Sequence, residues 1–246
     1  MFAATRQSGL TCESPADPMN TPEPTPLSIL VNAEQSVSAL LQVPPEPRAC
    51  CVLAHGAGAG MTHPFMGRVA AGLAERGIAS LRYQFPYMER GSKRPDLPAL
   101  AYATVRVAVA EAARRLPGVP LLAAGKSFGG RMSSQAQAAS PLAGVHGLVF
   151  FGFPLHPAGK ASVERAAHLA KVTCPMLFLQ GTRDELAELA LLQPVVAGLG
   201  ERATLELLDG ADHAFHVPAR SGRTDAQVLD QALDALARWA AATVLR

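Results

Sequence analysis

Gly125, Lys126, Ser127, Phe128 and Gly129 follow the apolar run 120–124 and precede a segment rich in Ala, Ser and Gln. A G-x-S-x-G pentapeptide in that setting marks a sharp strand-to-helix turn that exposes a serine for nucleophilic attack. Glycines two residues either side remove side chains that would collide where the chain turns. The helix that begins there aims free N–H groups and its positive dipole end at the reacting centre. Ser127 is therefore the candidate nucleophile, and the Phe128 N–H one candidate donor to a developing oxyanion. Lys126 reads as a solvated side chain beside the turn.

A serine hydroxyl is a poor nucleophile at neutral pH, so it needs a histidine within hydrogen-bond reach and a carboxylate behind that histidine. In this strand–turn–helix arrangement the partners follow in the order serine, acid, histidine. Asp184 stands just beyond the apolar run 175–180, and His213 lies in the loop between the run 203–208 and the last helical segment. Order and placement make them the candidate acid and base. His216, His63 and His156 compete for the base, and Asp212 and Glu185 for the acid. Asp212 directly precedes His213, and adjacent residues rarely point so as to share an imidazole hydrogen bond, so it reads as a solvated loop residue. A second glycine-rich stretch, His55 to Gly60, follows the run 49–54 and lets backbone N–H groups approach negative charge. Ala57 is the candidate donor there, and His55 reads as a brace for the loop. Neither a dinucleotide loop nor a P-loop fits: Met61 or His63 falls where the last glycine of G-x-G-x-x-G would stand, and no Gly-Lys followed by Ser or Thr ends the run.

Apolar runs at 49–54, 78–83, 120–124, 146–152, 175–180 and 203–208 alternate with helical periodicity over 64–76, 97–116, 129–139, 185–199 and 225–244. Two further runs, 27–31 and 37–43, flank a plausible hairpin connection. The pattern predicts a three-layer α/β sandwich: an eight-stranded, mostly parallel sheet with helices on both faces. All the candidate residues then fall at the strands' C-terminal edge. Between the runs ending at 152 and starting at 175 there is room for a loop and one short helix, not for a multi-helix lid. An open, shallow cleft is expected, walled by Met61, Phe65, Phe85, Tyr87, Phe153, Leu155 and Phe215.

The chain has 246 residues, enough for one substantial core and too few for two comfortable domains. Residues 1–26 are rich in Pro, Thr, Ser and Glu and read as a flexible tail, with Met19 an alternative start, and 27–246 as the folded domain. A formal net charge of only +2, with Lys and Arg scattered, argues against nucleic acid or a membrane surface as partner. Cysteines at 12, 50, 51 and 174 show neither CxxC spacing nor a zinc-binding pattern, so no metal or cofactor is expected. With no secretory signal and no run of 18 apolar residues, the expected setting is the cytoplasm.

Together the blocks LAHGAGAGM (53–61), RYQFPYM (82–88), GKSFGGRM (125–132), FGFPLHPAGK (151–160) and QGTRD (180–184) resemble the α/β-hydrolase superfamily over 27–246. More narrowly they look like the group of testis-expressed and NSL-complex subunit hydrolase-like proteins, neighbours of the dienelactone hydrolases. The resemblance implies a Ser127, Asp184, His213 triad with an oxyanion hole at Ala57 and Phe128. The chain departs from that group in Glu185, Leu186 and Ala187, where Pro-Phe-Gly is expected. The reading that follows is a serine hydrolase acting on a small ester, thioester or related acyl substrate through an acyl-enzyme. The alternatives are a non-catalytic interaction module that keeps the fold, or an acyltransferase.

Overall fold

A computed structural model describes residues 22–244. One sheet of eight strands runs through the molecule, as the sequence pattern predicts. Its strands are β1 (Thr25–Asn32), β2 (Gln35–Gln42), β3 (Ala49–Ala54), β4 (Ile78–Tyr83), β5 (Leu121–Lys126), β6 (Val145–Phe151), β7 (Met176–Gly181) and β8 (Ala203–Leu208). They lie in the order β1-β2-β4-β3-β5-β6-β7-β8. The β1–β2 hairpin and the β2–β4 pairing are antiparallel, and every later pairing is parallel. β1 takes in Thr25 and Pro26, so the folded sheet begins slightly before residue 27. The remainder of the tail reading, over 1–21, and the alternative start at Met19 lie outside the described residues.

β3, β4 and β7 are buried along their whole length, because helices cover both faces. On one face lie α1 (Pro64–Glu75) and α6 (Asp225–Thr243), packing Met66, Val69, Leu73, Leu233, Leu236 and Trp239 against the sheet. On the other lie α3 (Pro98–Arg115) and α4 (Phe128–Ala139) with Val105, Val109 and Met132, joined by Leu192 of α5 (Leu189–Gly198). Successive strand residues point to opposite faces. Phe150 accordingly enters one apolar cluster and Phe151 the other. α6 starts where a reciprocal capping box forms between Thr224 and Gln227, each side chain holding the other's backbone N–H.

Two differences from the sequence pattern have local causes. α5 begins at Leu189 rather than 185, because Asp184 draws the preceding residues into a turn: its Oδ1 accepts the Leu186 N–H and its carbonyl the Ala187 N–H. A short helix, α2 (Pro86–Glu89), forms where a loop is expected, started by Pro86 at its first position. The β6–β7 connection carries only a 3₁₀ segment, Glu164–Lys171, and no lid. Among the described residues no helix is long and apolar enough to cross a membrane.

Strand order reverses about β3, whose neighbours are β4 on one side and β5 on the other. In open α/β sheets this switch leaves a crevice outside the strands' C-terminal ends. The loops after β3 and β5 flank that crevice, and those after β7 and β8 approach it from the far side. Close backbone approach at this edge depends on Gly181, the last residue of β7, where a Cβ would stand 2.3 Å from the Ala211 carbonyl oxygen and 2.7 Å from that of Asp212. Gly181→Ala should therefore cost about 2–3 kcal/mol, seen in thermal unfolding as a Tm lowered by roughly 5–10 °C. A Cβ on Gly198, at the end of α5, meets nothing within 4 Å. Gly198→Ala should stay within about 0.5 kcal/mol of the parent, and equal behaviour of the two variants would contradict this account.

Candidate active site

β5 ends at Lys126 and α4 begins at Phe128, which leaves Ser127 alone to make the turn at φ 49° and ψ −112°. A Cβ on Gly125 would lie 2.3 Å from the Gly130 nitrogen, and one on Gly129 would lie 2.5 Å from the Ala54 carbonyl oxygen. Only glycine lets the new helix start this close to its own strand and to β3. The Ser127 N–H donates to the Phe151 carbonyl, and the Ser127 carbonyl accepts from Arg131, so the turn is tied at both ends.

Ser127 Oγ stands 2.8 Å from His213 Nε2, and His213 Nδ1 stands 2.7 Å from Asp184 Oδ2. A carboxylate only accepts, so Nδ1 carries the proton, and Nε2 is left to accept from the serine hydroxyl. Asp184 is buried and well supplied with donors: Gln180 Nε2 on Oδ2 and the Leu186 N–H on Oδ1. Gln180 is oriented in turn by the Phe153 N–H, at 2.9 Å from its Oε1. The base loop is equally constrained. Asp212 Oδ1 accepts the N–H groups of Ala214 and His216, its own N–H donates to the His216 carbonyl, and Phe215 takes a left-handed φ of 67°. Asp212 thus clasps its own loop from a partly exposed position.

The other candidate groups lie elsewhere. His216 is exposed and bonds Asp225 at 2.9 Å. His156 is fully buried between the Pro157 carbonyl and Glu188. His63 caps α1, accepting the Phe65 N–H, and Glu185 is exposed. A second serine–histidine contact joins Ser134 Oγ and His168 Nε2 at 2.8 Å. No carboxylate contacts His168 among the described residues, and burial lowers its pKa to about 4, which holds the ring neutral.

The glycine-rich loop after β3 is braced from the segment 82–88, a link that sequence spacing does not reveal. Tyr87 Oη accepts the Gly58 N–H at 3.2 Å, and Gln84 Oε1 accepts the Met61 N–H at 2.8 Å. His55 Nε2 accepts the Phe85 N–H at 3.0 Å, so its Nδ1–H donates to the Gly56 carbonyl at 2.8 Å. Burial lowers the pKa of His55 and favours this neutral form. The N–H groups of Ala57 and Phe128 are given to no protein acceptor among the described residues.

These parts border a cleft of about 380 Å³. Gly56, Ala57 and Ala59 form one side; Phe65, Met66, Leu186 and Ala214 form its apolar surface; His63 and Lys126 complete it around Ser127 and His213. Of the apolar walls expected from sequence, Phe65 lines the cleft. Met61, Phe85, Tyr87, Phe153, Leu155 and Phe215 are buried and do not line it. Phe85 and Tyr87 pack edge-on against Phe128, Phe153 against Phe150 and Phe178, and Phe215 against Phe65. Phe85, Tyr87, Phe153, Leu155 and Phe215 belong to the two apolar clusters of the core. Met66 and Leu186 are the lining residues that sequence reading missed; Met66 follows Phe65 in the first turn of α1, and Leu186 is fixed by the turn at Asp184.

Lys126 also departs from expectation. Its side chain turns under the base loop and its ammonium donates to the His213 carbonyl. The ammonium lies 5.3 Å from the ring centre of Phe215 and 5.8 Å from that of Phe65. Burial lowers its pKa to about 8, against the opposing fields of Asp184 and Asp212.

Residues 47–241 match the family model described as an alpha/beta hydrolase domain. Among solved structures, the dienelactone hydrolase of Anabaena variabilis superposes with a TM-score of 0.73 at 21% identity, over 91% of this chain and 99% of that one. A serine hydrolase without lid from Xanthomonas campestris gives 0.68 at 20% identity, over 92% and 98%. Est1E from Butyrivibrio proteoclasticus gives 0.67 at 17% identity, over 90% and 99%. With four-fifths of its length inside the family model, its sheet order and its strand–turn–helix serine, the chain belongs to the alpha/beta hydrolase domain family.

Proposed function

We propose that the protein is a serine hydrolase that cleaves a small ester, thioester or related acyl compound through an acyl-enzyme. The observation that carries this reading is the unbroken chain from Ser127 Oγ through both nitrogens of His213 to Asp184, with steps of 2.8 and 2.7 Å. Ser127 Oγ attacks the acyl carbon while His213 Nε2 takes its proton, and Asp184 stabilises the imidazolium that results. The carbonyl oxygen becomes an oxyanion received by the N–H groups of Ala57 and Phe128. Collapse breaks the bond to the leaving alcohol or thiol, which takes the proton back from His213. Water then attacks the acyl-serine by the same route, releasing the acid and restoring Ser127.

The substrate proposed is a free small molecule, with no cofactor, nucleic acid or membrane required. The motif blocks in 53–61 and 125–132 further suggest a place near the testis-expressed and NSL-complex subunit hydrolase-like group. Free cysteines at 50, 51 and 174 fit the cytoplasm as the setting.

Ser127→Ala should lower kcat on a short activated ester by about 10⁴-fold or more. Its Tm should move by less than about 3 °C, because Ala keeps the Cβ and only the two-sided contact with His213 is lost. Ser127→Gly should be equally inactive and at least as stable, since glycine carries no penalty at φ 49°. A Ser127→Ala enzyme that keeps most of its activity would remove Ser127 from the reaction.

The cleft volume limits the acyl group. A drug-sized ligand occupies a pocket of about 300–1,000 Å³, and this cleft, at about 380 Å³, sits at the small end. Across p-nitrophenyl esters from acetate to palmitate, kcat/KM should peak at the short acids. No rise should occur at the concentration where long esters aggregate, since the described residues carry no lid that would open. A long-chain optimum with a jump at aggregation would contradict the small-substrate reading.

A further inference from the structure

Lys126 immediately precedes the nucleophile, and its ammonium bonds the carbonyl of the base itself, 87 positions away in the chain. Covalent connectivity thus links this side chain to Ser127 at one end, and a charge-assisted hydrogen bond links it to His213 at the other. Such bonds are roughly twice as strong as neutral ones. The ammonium is engaged rather than free, although the residue is only partly buried and also borders the cleft. Phe65 of α1 and Phe215 of the base loop, packed on each other with ring centres 5.7 Å apart, face it from one side, and a Cβ on Gly152 would stand 3.0 Å from Nζ and 3.4 Å from His213 Nδ1. Gly152, at φ 71°, therefore keeps open the narrow space in which the ammonium lies beside the imidazole.

The position is costly in solvation, since an ammonium gives up water to lie against two aromatic rings and the glycine at 152. No carboxylate lies within ion-pair distance of it among the described residues. An apolar residue at this strand end would avoid that cost, so stability alone gives no reason for a lysine here. Holding the His213 carbonyl does: the base stands on a loop whose Phe215 is already forced to φ 67°, and the loop must keep Nε2 within hydrogen-bond reach of Oγ.

Resting on the serine-hydrolase reading, we infer that Lys126 is a positioning residue that clamps the base loop to the nucleophile turn and so sets the alignment of His213 with Ser127. It touches no reacting atom. Loss of the ammonium alone should slow both proton transfers, and where the stem that borders the cleft is kept, substrate binding should change little.

The test is Lys126→Met, which keeps the length and apolar stem and removes the donor. On p-nitrophenyl acetate kcat should fall by about 10–100-fold, the scale of a base misplaced by about an ångström, with KM within about twofold. The far-downfield proton signal of the His213 N–H on Asp184 should broaden or vanish in the variant. Lys126→Cys supplies the second arm: it should share the loss, and bromoethylamine, which rebuilds a lysine-like ammonium on the cysteine, should restore both kcat and the signal. Identically treated parent protein controls for alkylation of the other cysteines. A Lys126→Met variant with parental kcat and signal would overturn the clamp, as would a folded Lys126→Cys variant whose loss aminoethylation does not repair. If the parent protein hydrolyses nothing, the hydrolase reading fails separately. The proton signal still decides on Lys126: retained in the variants, it overturns the clamp, and lost and restored, it supports it.

Discussion

Between β5 and α4 the backbone must reverse direction within one residue, and that residue is a serine at φ 49°. L-residues with side chains visit this region at a cost of order 1–3 kcal/mol, and persist there only where the surroundings over-determine them. Here they do so through contact rather than through any single strong bond. Gly125 lies against Gly130, Gly129 lies against the end of β3, and the Phe151 carbonyl receives the Ser127 N–H. The approach of α4 to the sheet forces the turn, and the turn lifts Oγ clear of the backbone toward His213. The same approach leaves the Phe128 N–H at the start of α4, where no intrahelical acceptor exists for it.

The remaining loops are arranged to meet that fixed point, some held by groups outside themselves and some by bonds within. His55, Gln84 and Tyr87 set the glycine-rich loop; Gln180 and the Leu186 N–H set Asp184; Asp212 clasps the base loop from within. Gly181 lets the base loop lie directly on the end of β7, which brings the acid and base together from strands adjacent in the sheet. The bonds of His55 and of Gln180 with Asp184 are buried, and a buried donor or acceptor left unpaired costs about 1–3 kcal/mol. Alternative arrangements of these loops are thereby disfavoured, and the cleft is formed before any ligand arrives.

Much of this was legible in the chain. Six consecutive buried positions in β3 read as an apolar run because both faces are covered, and the place of Ser127, Asp184 and His213 after strands, with their order, points to three side chains that the structure brings within hydrogen-bond distance. The errors concern which side of a loop a residue faces. Phe85 and Tyr87 are apolar enough to wall a cleft or fill a core, and the choice falls to partners such as Phe128 and Gly58 that meet them only in three dimensions. Helical periodicity continues through Leu186, yet Asp184 captures its N–H and delays α5. Lys126 read as solvated because charge normally implies exposure, whereas its acceptor belongs to a distant residue.

The central claim is that the geometry at Ser127 makes an activated nucleophile, and covalent labelling tests it without knowledge of the natural substrate. A fluorophosphonate is attacked as an ester would be, and the phosphonylated serine is trapped by the same oxyanion donors. Peptide mass spectrometry of the labelled protein should find the adduct on Ser127, abolished in His213→Ala and after heat unfolding. An unlabelled folded protein, or an adduct on another residue such as Ser134, would contradict the account.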